Sequence, residues 1–168
     1  QKLVDDLLKE FNVKAIWYNP NELEDLKNKI TKKTKLIFVE NPGSNTFEMQ
    51  DLSKVVSLAK SKNIFTAIDN TWATAYFFKP LKLGFDMSIT SATKYYSGHS
   101  DVMGGTVAVN KKVYKKVWWY NHVSGYRLSP DDAYLIIRGL RTLDIRMDKH
   151  QESTKKVINF LKTQRKIS

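Results

Sequence analysis

The chain has 168 residues, 42% hydrophobic and 27% charged, which is the composition of one globular domain with a real core and excludes a disordered segment. It has no cysteine, so disulfides and thiolate metal sites are excluded and a reducing, cytoplasmic setting is expected; no apolar run is long enough to span a bilayer, so no membrane partner is expected. The formal charge of +11 brings nucleic acid into view, but the charge is mostly lysine, scattered as Lys32-Lys33, Lys111-Lys112, Lys115-Lys116 and Lys155-Lys156, with no arginine stripe or base-reading motif, so the expectation is a solvated basic surface and no nucleic-acid partner.

Helical and strand patterns alternate along the chain. Leu3, Val4, Leu7, Leu8 and Phe11 are spaced as an amphipathic helix, not a signal peptide, and Val13 to Trp17 reads as a short strand. The turn Tyr18 to Asn21 offers Asn21 as cap for a helix from Glu22 to Ile30. Leu36 to Val39 is a continuous apolar run, which predicts a strand buried on both faces. Asp51 caps a helix carrying Leu52, Val55, Val56 and Leu58, and Ile64 to Ile68 is a second buried strand. Short strands follow at Met87 to Ser91 and Thr106 to Val109, then a helix from Lys111 to about Val123. Ser129-Pro130-Asp131-Asp132 is a helix start, with a capping serine, proline in the first turn and acids at the positive end of the dipole. A long last helix begins at Thr142 and carries Ile145, Val157, Ile158 and Leu161. Strands alternating with helices predict an α/β fold with a mostly parallel sheet and helices on both faces. The first residue is Gln rather than Met, which suits a segment of a longer chain.

In open parallel sheets, ligands bind beyond the carboxyl ends of the strands. Three predicted strand ends are polar: Glu40-Asn41-Pro42-Gly43-Ser44, Asp69-Asn70-Thr71, and Thr90-Ser91-Ala92-Thr93-Lys94. Each alone reads as a turn or cap. Together they supply the groups a pyridoxal phosphate site needs. These are a lysine for the aldehyde carbon, a carboxylate opposite the pyridine nitrogen, and hydroxyls for the phosphate. In an extended segment, Ser91 and Thr93 would project to one side and Lys94 to the other.

The stretch Asp69-Asn70-Thr71-Trp72-Ala73-Thr74, then Lys79-Pro80-Leu81, then Ser91 through Met103, resembles the Cys/Met-metabolism family of pyridoxal-phosphate enzymes. The 25-residue step from Asp69 to Lys94 (94 − 69) fits the family pattern, as does Arg138-Gly139-Leu140-Arg141-Thr142-Leu143. Glu40-Asn41-Pro42-Gly43-Ser44 and Asp69-Asn70-Thr71-Trp72 are most like its cystathionine β-lyase branch. The resemblance implies the aminotransferase-like large domain, with residues 1–168 forming an incomplete cofactor-binding unit. It implies pyridoxal 5'-phosphate as cofactor, with Lys94 as the attachment and catalytic lysine, Asp69 pairing with the ring nitrogen, Ser91 and Thr93 on the phosphate, and Thr71 near the ring. No metal is implied. It implies a carbon–sulfur β-lyase that takes a small sulfur amino acid and cleaves cystathionine to homocysteine, pyruvate and ammonia, working as a homotetramer when full length. A cystathionine γ-synthase, a methionine γ-lyase and an inactive fragment are the alternatives. The family's ring-stacking tyrosine and the phosphate-binding residues of a neighbouring subunit are expected upstream of Gln1, and its carboxylate-gripping arginine beyond Ser168. One departure is His122, which stands where this branch tends to carry a tyrosine before a glycine.

Overall fold

The computed structural model describes residues 3–166, with side chains from Asp6 onward. Four strands, β1 (Leu36–Glu40), β2 (Phe65–Asp69), β3 (Met87–Ser91) and β4 (Gly105–Val109), form one sheet in the order β1-β2-β3-β4. The first three are parallel, and β4 returns antiparallel to β3. Parallel neighbours need crossovers. Helix α1 (Leu23–Lys29) precedes β1, and α2 (Leu52–Ser61) carries the chain from β1 to β2. The short helices α3 (Thr74–Phe77) and α4 (Pro80–Leu83) carry it from β2 to β3. Three longer helices follow the sheet: α5 (Lys111–Ser124), α6 (Pro130–Leu140) and α7 (Leu143–Lys162). The expected α/β architecture, a mostly parallel sheet with helices packed around it, is therefore present.

Local chemistry explains most element boundaries. Asp51 accepts from the Lys54 amide at the start of α2, and Ser129 accepts from the Asp132 amide ahead of Pro130 at the start of α6. Asn110 caps α5 by accepting from the amides of Lys112 and Val113. Gly84 and Gly125 end α4 and α5 with φ of 112° and 72°, a region where a side chain is strained.

The core lies on one face of the sheet. Ile37, Val39 and Ile68 pack there against Val55, Val56 and Ala59 of α2, together with Leu26 and Phe85. Burying each larger side chain of this kind contributes about 1.5–3 kcal/mol relative to exposure. Asp86 locks the rear of the sheet. Its carboxylate accepts from the Thr66 amide (2.9 Å), the Thr66 hydroxyl (3.2 Å) and the Asn110 side-chain amide (2.7 Å). A second cluster, Ala92, Val102 and Ile136, ties the segment after β3 to α6.

Several expectations need correction. Residues 13–17 form no strand; Val13, Ile16 and Trp17 are exposed, because β1 is the sheet edge and no strand pairs beyond it among the described residues. β1 is not buried on both faces: Ile37 and Val39 are 4% and 2% exposed, but Leu36 and Phe38 are 46% and 51% exposed. Alternate side chains face opposite ways, and among the described residues only one of those faces is covered by α2. Helix α1 begins at Leu23 after Glu22, with no side-chain cap; Asn21 does not cap it. Of the expected first stripe, the Leu3 and Val4 side chains lie outside the described residues, and Leu7 and Phe11 are exposed. Along α7 the buried residue is Met147, whereas Ile145, Val157, Ile158 and Leu161 are exposed.

Candidate active site

The register sets the site. Glu40 pairs with Asp69, and Asp69 with Ile89, so β1 and β2 end level while β3 runs two residues further to Ser91. The chain leaves all three strands at the same edge. A cleft of about 1160 Å³ opens there. All three polar strand ends contribute to it: Glu40, Pro42, Gly43 and Ser44 from the first, Asp69 and Thr71 from the second, Thr93 and Lys94 from the third.

Asp69, Thr71 and Thr93 are held by local bonds. Asp69 Oδ1 accepts from the Thr71 amide at 2.9 Å, a turn that brings the Thr71 hydroxyl back across to β3. That hydroxyl accepts from the Ser91 amide at 2.8 Å and so ties the ends of β2 and β3 together. The Thr93 hydroxyl bonds both the amide (3.0 Å) and the carbonyl (3.3 Å) of Gly104. The Lys94 side chain makes no hydrogen bond or ion pair among the described residues.

The segment bearing Lys94 is not extended. It coils immediately after β3, with the Lys94 amide donating to Ser91 O (3.2 Å), Ser97 to Ala92 O (2.9 Å) and Gly98 to Lys94 O (2.8 Å). Strand alternation therefore does not order Ser91, Thr93 and Lys94 as expected. Thr93 and Lys94 both line the cleft, whereas Ser91, the last residue of β3, does not.

The cleft has further walls. Phe47 and Trp72 meet edge to face at 5.4 Å between centroids, and both line it. On another side stand Tyr95, Arg146 and His150, with the Tyr95 and His150 rings 5.3 Å apart. Arg146 and His150 both come from α7. They are reachable by no local pattern, since they lie 52 and 56 residues beyond Lys94 (146 − 94 and 150 − 94). Asp101 also lines the cleft and is paired with Arg138 at 3.0 Å. His122 is outside the lining; its ring stacks on Trp118 and its Nδ1 lies 2.6 Å from Arg127 Nη2. Among the described residues no group of three His, Cys, Asp or Glu side chains could hold a metal ion, and no helix is long and apolar enough to cross a membrane.

The chain is similar to known proteins along its whole length. It is 37% identical over 163 residues to a cystathionine β-lyase of Haemophilus influenzae, covering 96% of this chain and 41% of that one. It is equally 37% identical over 163 residues to an L-methionine γ-lyase of Fusobacterium nucleatum, covering 95% of this chain and 41% of that one. The crystal structure of a cystathionine γ-lyase from Lactobacillus plantarum, complexed with L-serine, superposes with a TM-score of 0.93 at 33% identity, covering 98% of this chain and 43% of that one. The chain thus spans about two-fifths of the length of the relatives it matches. The family model described as "Cys/Met metabolism PLP-dependent enzyme" matches residues 1–168, and the chain belongs to that family.

Proposed function

We propose that the cleft is the cofactor pocket of a carbon–sulfur lyase that cleaves cystathionine by β-elimination. One observation carries this reading: a lysine amine with no hydrogen bond or ion pair among the described residues shares a cleft with a carboxylate and several hydroxyls at the ends of parallel strands. The donor set fits pyridoxal phosphate. Asp69 has one carboxylate oxygen bonded to the Thr71 amide and the other without a hydrogen-bond partner among the described residues, available to a ring nitrogen. The Thr93 hydroxyl is bonded to Gly104, and its donation to Gly104 O at 3.3 Å is long enough to be exchanged for a phosphate oxygen. Ser91 joins it from the strand end. Thr71, already fixed by the Ser91 amide, would lie beside the ring.

When bound, the cofactor supplies an electron sink for charge developing at the substrate's Cα. The protein's part is positioning and proton transfer. Asp69 holds positive charge at the ring nitrogen by ion pairing. The Lys94 amine moves the proton at Cα. Phe47 and Trp72, edge to face on the cleft wall, would offer ring edges to a thioether sulfur.

The test uses the intact protein loaded with cofactor. Lys94→Ala is expected to abolish its visible absorbance; a band that survives in the variant sinks the assignment. Cystathionine should yield pyruvate. A yield of 2-oxobutyrate would instead favour γ-elimination, in keeping with the chain's similarity to a methionine γ-lyase.

A further inference from the structure

The turn that carries Lys94 is clamped from outside by one arginine. Arg146, in the first turn of α7, donates from Nη1 to Tyr95 O at 2.8 Å, from Nη2 to Gly139 O at 2.8 Å, and from Nε to Thr142 Oγ1 at 3.1 Å. Thr142 in turn donates to Gly139 O at 3.3 Å. The guanidinium thus bridges the residue directly after Lys94 to the junction of α6 and α7. It lies flat against Gly98, where a Cβ would fall 2.4 Å from Nη1 and where φ is +72°. One helical turn further on, His150 meets the ring of the same Tyr95. Both α7 side chains line the cleft.

The turn needs such a support. β3 stops at Ser91, and Lys94 sits three residues past the last ladder bond. Thr93 anchors the start of the turn to Gly104 beside β4, and past Lys94 the turn's own bonds close it locally, so Arg146 supplies a tie to α6 and α7 on the far side of the lysine. A planar fork with several donors can fix a direction when its acceptors belong to different elements, and here they do. A lysine at 146 would keep the charge but could not reach Tyr95 O and Gly139 O in one plane.

We infer that Arg146 is a positioning residue, which sets the aim of Lys94 by holding the Tyr95 carbonyl against the α6–α7 junction. This rests on Lys94 being the residue that takes the cofactor. Freedom in the Lys94 turn would lower the fraction of time its amine faces the cofactor's aldehyde carbon.

Two measurements on the intact apoprotein test it. The first is the rate at which added pyridoxal phosphate becomes fixed, trapped by borohydride and located by peptide mass. The second is amide exchange, read at the Ser97 and Gly98 amides and across β1–β3. Arg146→Lys is expected to slow fixation roughly tenfold to a hundredfold. It should also release protection at Ser97 and Gly98 while leaving β1–β3 unchanged. Fixation at the parental rate overturns the inference. So does loss of protection spread over β1–β3, which would make Arg146 a residue of the fold. Lys94→Ala separates the two readings. Fixation that persists at another residue in that variant refutes the Lys94 assignment itself. Its loss there, beside parental fixation in Arg146→Lys, refutes only the role of Arg146.

Discussion

Gly139 is the point where α6 touches the Lys94 turn, and an added methyl there measures how tightly the two are joined. A Cβ at this position would lie 2.2 Å from Ser97 O and 2.4 Å from Tyr96 O. Real Cβ atoms essentially never approach within 3.0 Å, so Gly139→Ala requires a separation of at least 0.8 Å (3.0 − 2.2). Neither obstructing atom is a side chain that could rotate away. Moving α6 would draw Ile136 from its cluster with Ala92 and Val102 and stretch the bond from Arg146 to Gly139 O. Overpacking of this sort costs about 1–3 kcal/mol, and rigid backbone on the far side puts it near the upper end. The better helix propensity of alanine offsets about 1 kcal/mol. A net loss of about 2 kcal/mol lowers the melting temperature by roughly 4–8 °C for a domain of this size. Thermal melts followed by circular dichroism give the number, with Gly125→Ala alongside. Gly125 also has a left-handed φ of +72°, but a Cβ there meets nothing within 4 Å. Its cost is the backbone term alone, about 1 kcal/mol, and its cofactor fixation should be unchanged. A Gly139→Ala protein that melts at or above the parental temperature would refute the packing argument, since that is the result helix propensity alone gives.

Two other outcomes follow from buried polar groups. Asp86→Ala leaves the buried Thr66 amide and the Asn110 side chain without their acceptor and should destabilise by about 3 kcal/mol, read as a lower denaturation midpoint; a midpoint within error of the parent would show those donors satisfied elsewhere. Burial pushes the Tyr18 hydroxyl up to about 12, with the bond to Gln50 acting weakly the other way. The unfolded chain loses that proton near 10.0, so the contribution is intact below pH 10 and is lost as pH rises towards 12. Tyr18→Phe should therefore move the alkaline unfolding transition upward, and an unmoved transition would count against the buried hydroxyl.

Much of the site was legible in residues close together in the chain. The Asp51 and Ser129 caps were readable because a cap bonds amides only two or three residues away. β2 was readable because Thr66, Ala67 and Ile68 are buried on both faces, and a run of apolar residues says so directly. The same kind of run misled at β1, where burial depends on what lies beyond the sheet edge. Val13 to Trp17 has strand composition but no neighbour to bond. The sense of β4 was also beyond reach, since a strand pattern reads the same in either direction.

Four groups of the cleft were legible in the linear order of residues: Asp69, Thr71, Thr93 and Lys94 sit at or just past strand ends, and strand ends of a parallel sheet meet at one edge. Their setting comes from tertiary packing. Lys94 stands on a segment that coils rather than extends, and Gly139, Arg146 and His150 bear on that coil from α6 and α7. On a helix, Arg146 and His150 carry the pattern of ordinary solvated residues. Only the packing of α7 against the Lys94 turn, through contacts more than fifty residues apart, makes them walls of the site.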